Sequence, residues 1–152
     1  MIVYIAQALD YAGNHEGHMA RWFHSPYPGF PPGVKIYCPH CEFIPGETIQ
    51  ATMVRNTKAL TGADALIGIY DGAPSFGMPV EIWTKAHAAA HRVCIIHPGR
   101  PGVYVRWLES IGVTVVGSAV EALKWIGVWF GSGAAGGATF PGASIGIDRA
   151  GG

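Results

Sequence analysis

The chain of 152 residues carries ten acidic and ten basic side chains, so its formal net charge at neutral pH is zero. This balance argues against a nucleic-acid-binding surface, which needs a concentrated positive field. No apolar run approaches the roughly 20 residues that cross a bilayer, so we expect no membrane partner. The length fits one domain with a sizeable core. Because the N-terminus enters a strand without a basic leader, the sequence predicts a soluble cytoplasmic protein.

Short hydrophobic runs alternate with longer amphipathic stretches over residues 1–130. The predicted strands are 2–6, 34–37, 65–70, 93–96 and 113–116. The predicted helices are 15–23, 47–60, 79–91, 104–111 and a last helix capped by Ser118 and Glu121. This alternation predicts a single α/β domain whose five-stranded parallel sheet is doubly wound, in flavodoxin-like (Rossmann-like) order. Residues 131–152 are rich in glycine and alanine and are predicted to form a C-terminal tail.

Residues 64–81 are the most informative stretch. A short apolar run ends at the turn signal Asp71-Gly72. Because proline suits the first helical turn, a helix is expected to start near Pro79, with Glu81 in that turn. The helix dipole favours a carboxylate there, so Glu81 by its position alone is more often a dipole partner than a catalyst. Since ligands collect at the carboxyl ends of parallel strands, the stretch predicts one side of a pocket.

Three segments, in this order, resemble the nucleoside 2-deoxyribosyltransferase family, whose superfamily includes nucleoside 5'-monophosphate N-glycosidases. They are a strand carrying a tyrosine (Val3-Tyr4-Ile5), an aspartate followed by an apolar strand (Asp64-Ala65-Leu66-Ile67), and the loop Ser75-x-Gly77-x-x-x-Glu81. The resemblance extends over residues 1–98 and weakens beyond them.

The resemblance implies cleavage or transfer at the N-glycosidic bond of a nucleoside or nucleotide. It assigns Glu81 as the nucleophile at C1', Tyr4 as the residue that holds its carboxylate, and Asp64 as the residue that handles the proton on the base. The expected substrate-binding residues are Ser75, Gly77, Gln7 and Asp71. Neither a metal nor a cofactor is expected.

Transfer and hydrolysis both remain open. Transferases of free deoxynucleosides carry an aspartate where this chain has Ser75, whereas the monophosphate glycosidases carry serine, which suits a phosphate better. However, the glycine-rich phosphate loop of those glycosidases is absent, because residues 6–10 read Ala-Gln-Ala-Leu-Asp.

Two other classes of function compete with this interpretation. A thiol redox protein is suggested by Cys38-Pro39-His40-Cys41, although the following residues 42–46 leave no room for the helix that opens at the first cysteine of such proteins. The same tetrad lacks a second pair of ligands for zinc. A non-catalytic nucleotide-binding module would keep the pocket without the chemistry. The histidine pair His87 and His91 has metal-compatible spacing but lacks the glutamate of a metalloprotease helix.

Aromatic residues suggest both a base-stacking wall and an interface. Trp22, Phe23, Tyr27 and Phe30 could stack on a nucleobase or belong to the core. Large side chains are also distributed over the later helices, at Trp83, Trp107, Trp125 and Trp129. Because large apolar surfaces mark interfaces, we expect a homodimer or a higher even oligomer, with the helix beyond Glu81 at the contact.

Overall fold

The computed structural model describes residues 1–7, 33–39, 42, 44–70, 75 and 77–131. The strands are β1 (Ile2–Gln7), β2 (Lys35–Tyr37), β3 (Ala65–Ile69), β4 (Val93–Ile96) and β5 (Thr114–Val116). The helices are α1 (Ile49–Gly62), α2 (Gly77–Ala89), α3 (Val103–Ser110) and α4 (Ala119–Gly131), with a short 3₁₀ helix at Ala90–Arg92. The predicted helix at 15–23, the aromatic cluster at 22–30, Asp71, Cys41 and residues 132–152 lie outside the described part.

The five strands form one open parallel sheet in the order β2-β1-β3-β4-β5, which confirms the predicted α/β fold and strand order. β3 and β4 are buried at every position, as expected of strands covered on both faces. β1 is buried from its second residue onward. These three strands therefore form the rigid centre from which the site is built.

Helices cover both faces of the sheet. One core cluster joins the sheet to α1, α2 and α3 through Leu60, Ile82 and Leu108. The second cluster joins the opposite face to α4 through Ala122 and Ile126. The doubly wound arrangement is thus present in the described residues.

Helix α2 begins two residues earlier than predicted. It starts at Gly77, so Pro79 is its third residue, where a missing backbone N–H still costs nothing. Glu81 is consequently the fifth residue, and no acid lies in the first turn. The expectation that Glu81 interacts with the helix dipole from the first turn was therefore wrong, and another contact must account for its position.

Helix α2 lies close against β3 and runs back towards the amino edge of the sheet. A Cβ atom added to Gly68 on β3 would lie 2.6 Å from Cδ1 of Ile82, so the missing side chain makes room for the helix. One turn beyond Glu81, the buried ammonium of Lys85 donates a hydrogen bond to the carbonyl oxygen of Ala63. These contacts at two levels fix both the height and the rotation of α2 over the sheet.

Among the described residues, no helix is both long and apolar enough to cross a membrane.

Candidate functional site

A cavity of about 440 Å³ opens between the end of β1 and the facing sides of α1 and α2. This volume lies within the range of small-molecule sites. Its lining consists of Tyr4, Gln7, Pro39, Met53, Asn56, Thr57, Leu60, Ser75, Gly77, Met78, Val80, Glu81 and Thr84. Five of the seven predicted site residues line it, namely Tyr4, Gln7, Ser75, Gly77 and Glu81. Asp71 lies outside the described part of the chain.

The contact between Tyr4 and Glu81 dominates the cavity wall. The Tyr4 hydroxyl donates a 2.5 Å hydrogen bond to Oε1 of Glu81. Tyr4 points from the middle of β1 and is fully buried, while Glu81 reaches down to it from the second turn of α2. The predicted hydrogen bond is therefore present, and it orients a carboxylate along the cavity.

The Tyr4 hydroxyl keeps its proton. Burial, together with the negative charge of Glu81, raises the pKa of Tyr4 far above its ordinary value. A protonated phenol interacts with a carboxylate only by donating its O–H, because the ionised carboxylate can only accept. Tyr4 is thus a fixed hydrogen-bond donor to Glu81 at any working pH.

The ring of Tyr4 is supported by Tyr37 at the end of β2. The two rings stack with centroids 5.5 Å apart and an interplanar angle of 20°. The Tyr37 hydroxyl donates to Oδ1 of Asn56 at 2.9 Å and accepts from Nη1 of Arg55 at 2.8 Å. A polar chain therefore connects the support of Tyr4 to a second side chain in the cavity wall, Asn56.

Ser75 and Gly77 border the cavity at the start of α2. The Ser75 hydroxyl accepts a 3.1 Å hydrogen bond from the backbone N–H of Met78, so it caps the helix as well as lining the cavity. Among the described residues, no atom lies within 4 Å of a Cβ added to Gly77, which stands beside the first helical N–H groups. Such groups attract anions and polar oxygens.

Gln7 ends β1 at the border of the cavity and is 6% exposed. Because side chains alternate along a strand, Gln7 lies on the same face of β1 as Val3 and Ile5, and on the opposite face from Tyr4. Neither polar atom of its amide has a hydrogen-bond partner among the residues that the structure describes. A buried amide of this kind is a candidate ligand contact, because leaving it unpaired is costly.

Asp64 lies elsewhere, and its predicted role needs correction. It precedes β3 at the amino edge of the sheet, where its Oδ2 accepts a 2.8 Å hydrogen bond from the backbone N–H of Ile2. The backbone N–H of Asp64 in turn donates to the carbonyl oxygen of Ile2. Since Asp64 is not among the residues that line the cavity, this geometry gives it a structural role in joining β1 and β3.

Asn56 is the polar residue that sequence reasoning missed. It faces the cavity from α1 together with Met53, Thr57 and Leu60, at the i, i+3, i+4, i+7 spacing of one helical face. The apolar residue Ile49, at the start of the same helix, is 85% exposed and does not line the cavity. The polar residues Asn56 and Thr57 between Met53 and Leu60 were the available signal for a cavity wall.

In the part of the chain that the structure describes, which leaves out His40 and Cys41, the cysteine and histidine motifs gain no support as redox or metal sites. Cys38 and Cys94 are free and buried, and burial raises the pKa of Cys94 to about 12. His87 lies on α2, whereas His91 lies in the following 3₁₀ helix, so the two do not share one helical face. Within the described ranges, no three side chains of the metal-binding types are grouped to hold an ion.

Two of the four tryptophans considered as interface residues form an exposed pair. Trp83 on α2 and Trp107 on α3 have ring centroids 4.9 Å apart and are 41% and 40% exposed. Trp125, on α4, is instead buried in the core. The side chain of Trp129 lies outside the described part.

The fold and site define an open α/β domain of flavodoxin-like strand order, with a phenol–carboxylate pair in a cavity at one end of β1. The chain is similar to a solved structure described as a conserved protein from Enterococcus faecalis V583, with a TM-score of 0.63 and 15% sequence identity. The match covers 85% of this chain and 98% of that one. At this identity the similarity shows the fold alone. No protein-family model and no curated protein matches the chain.

Proposed function

We propose that this protein cleaves or transfers at the N-glycosidic bond of (deoxy)nucleosides, with Glu81 as the nucleophile. The observation that supports this most is the 2.5 Å hydrogen bond from the buried Tyr4 hydroxyl to the Glu81 carboxylate in a cavity of nucleoside size. A carboxylate held in this way resembles the nucleophile of a retaining glycosidase, as the sequence resemblance implies.

The proposed reaction is a double displacement. A Glu81 oxygen attacks C1' of the sugar, the bond from C1' to the base nitrogen breaks, and the base leaves with that electron pair. The sugar is then attached to Glu81 as an ester. In the second step, a nitrogen of an acceptor base or a water oxygen attacks C1', loses its proton, and restores the carboxylate. An acceptor base gives transfer, and water gives hydrolysis.

The departing base needs a contact that lowers its basicity. Because Asp64 lies at the opposite edge of the sheet, we propose Asn56 for this contact instead. An amide N–H cannot deliver a proton, but it can donate a hydrogen bond to a carbonyl oxygen or ring nitrogen on which negative charge develops. Protonation is then left to water.

A nucleoside 5'-monophosphate N-glycosidase is the second candidate. Ser75 and Gly77 place a hydroxyl and the first backbone N–H groups of α2 at the same cavity. A helix N-terminus of this kind favours a phosphate on the 5' side of the sugar. This observation favours a nucleotide without excluding a free nucleoside.

Incubation with deoxynucleosides and deoxynucleoside 5'-monophosphates, each with and without a free second base, tests the proposal. Release of base by the protein alone would indicate hydrolysis, whereas exchange only with added base would indicate transfer. A non-catalytic nucleotide-binding module would bind the same compounds in calorimetry without releasing base. The thiol redox alternative instead requires activity that disappears in Cys38→Ser.

We further propose that the protein acts in the cytoplasm as a homodimer or higher even oligomer. Free cysteines at Cys38 and Cys94 suit a reducing compartment. The exposed Trp83–Trp107 pair supplies an apolar surface for the contact. Light scattering at micromolar concentration tests the assembly: a mass near the 16.1 kDa of one chain would contradict it.

A further inference from the structure

The hydroxyl of Tyr37 has a fixed hydrogen-bond direction. Its oxygen lies 2.8 Å from Nη1 of Arg55 and 2.9 Å from Oδ1 of Asn56. A guanidinium can only donate, so the hydroxyl oxygen accepts from Arg55. The hydroxyl proton is therefore directed to Asn56, where it requires the amide oxygen rather than the amide nitrogen.

Arg55 is itself held in place by Glu47. Its Nε donates to Oε1 at 3.1 Å and its Nη2 to Oε2 at 2.7 Å, a two-point contact between planar groups. The Thr52 hydroxyl also donates to Oε2, at 2.8 Å. Hydrogen bonds from Arg55 and Thr52 lower the pKa of Glu47, so this carboxylate stays ionised and keeps Arg55 as a donor to Tyr37.

The orientation of the Asn56 amide follows from this chain of contacts. With its oxygen engaged by Tyr37, the amide has its NH₂ group left to offer, and Asn56 lines the cavity. We propose that Tyr37 and Arg55 are positioning residues that lock this amide as a donor, so that the site selects a ligand carrying a hydrogen-bond acceptor there. The inference rests on the proposed function, in which that ligand is a nucleobase with a carbonyl oxygen rather than an amino group.

Two pairs of substrates differ at this group and in whether the adjacent ring nitrogen carries a proton. Deoxyuridine and deoxycytidine exchange a carbonyl oxygen for an amino group, as do deoxyinosine and deoxyadenosine. A neutral hydrogen bond contributes about 1 kcal/mol, which corresponds to roughly fivefold to tenfold in kcat/KM. The wild-type protein is expected to favour the carbonyl member of at least one pair by about this factor.

Tyr37→Phe is the variant that tests the positioning role. It keeps the ring that stacks on Tyr4 and removes the hydroxyl that fixes the amide. The kcat/KM ratio within the selective pair should fall to about twofold or less, because the amide can then turn either way. A loss of stability would lower kcat/KM for both substrates of the pair by the same factor and leave their ratio unchanged.

Two further variants complete the test. Arg55→Met should reduce the same ratio, since the Tyr37 hydroxyl could then accept from the amide instead of donating to it. This variant carries the test if Tyr37→Phe does not fold. Tyr104→Phe is the matched control, because it removes a tyrosine hydroxyl that bonds the carbonyl oxygen of Pro79 and does not line the cavity. It should leave the ratio unchanged.

The outcomes separate the inference from the proposed function. A wild-type preference for the carbonyl substrate that is lost in Tyr37→Phe or Arg55→Met supports the inference. Base release with no such preference, or with a preference that both variants retain, overturns it and leaves the proposed function standing. If the wild-type protein releases or exchanges no base from any of these nucleosides or their monophosphates, both are overturned.

Discussion

The Tyr4 hydroxyl and the Glu81 carboxylate meet at 2.5 Å although 77 positions separate them in the sequence. The contact exists because β1 lies inside the sheet, between β2 and β3, and α2 packs on the face that Tyr4 points to. It holds a carboxylate against a buried phenol in the wall of the cavity. Such an arrangement is expected to matter for chemistry more than for folding.

Replacing Tyr4 by phenylalanine tests that contact. The ring and its stacking on Tyr37 are retained, while the donor to Glu81 is removed. A hydrogen bond to a charged group contributes about 1.5–3 kcal/mol, so kcat/KM for base release should fall by roughly 10- to 100-fold. Tyr104→Phe serves as the control and should stay near wild type. An unchanged kcat/KM in Tyr4→Phe would remove the tyrosine from the site.

Alkaline pH should lower the free energy of unfolding, because the buried tyrosine and cysteine side chains resist losing their protons. Burial raises the pKa of Tyr70 to about 12 and that of Cys94 to about 12, and raises the pKa of Tyr4 further. The folded state therefore keeps protons that the unfolded state releases, so this stabilisation is intact below pH ~9 and is lost as the pH rises towards the raised values. Urea unfolding at pH 8, 9, 10 and 11 measures it. A free energy of unfolding that is constant over this series would contradict the burial of these groups.

Asp64→Asn should separate structure from catalysis. The amide oxygen can still accept from the backbone N–H of Ile2, so the loss of stability should not exceed about 1 kcal/mol. Base release should remain within about threefold of wild type, because Asp64 does not line the cavity. Asn56→Ala, the matched change inside the cavity, should lower kcat/KM by roughly tenfold. A larger loss in Asp64→Asn than in Asn56→Ala would restore the role that the sequence resemblance assigned to Asp64.

The sheet was predictable because hydrophobic runs report burial directly. β4 was predicted to the residue, and β3 to within one residue at its end, since both are short, β-branched and covered on two faces. The start of α2 was less certain because Pro79 fits several positions of a first turn. The cap that decides the boundary is the bond from Met78 to the Ser75 hydroxyl, which depends on loop conformation.

The site was predictable only where its residues come from well-marked elements. The pairing of Tyr4 with Glu81 followed from the sequence resemblance, whereas Asp64 was misplaced because a residue before a strand lies at the amino edge of a parallel sheet. Asn56 was missed because its role depends on which face of α1 turns to the cavity. The rotation of α1 about its axis is set by tertiary contacts such as the burial of Leu60. The spacing of apolar residues in the sequence does not show which face of this helix is buried.

Gly68→Ala should displace α2 from the sheet. The new methyl group would lie 2.6 Å from Cδ1 of Ile82, which is fully buried and packed between the sheet and its neighbours. Overpacking of this kind costs about 1–3 kcal/mol and would move Glu81 relative to Tyr4. The melting temperature and kcat/KM should both decrease. Gly127→Ala on α4 is the control, because a Cβ there meets no atom of the described residues within 4 Å. Equal behaviour of the two variants would contradict the close packing of α2.

The initial rate of base release by Glu81→Ala, relative to wild type, tests the proposed chemistry most directly. Circular dichroism and the melting temperature of the variant must first match those of the wild-type protein. If Glu81 is the nucleophile, the rate should fall by roughly 1,000-fold or more, because the covalent route is lost. A rate that stays within about tenfold of wild type, for a substrate that the wild-type protein cleaves, would contradict the assignment of Glu81 as nucleophile.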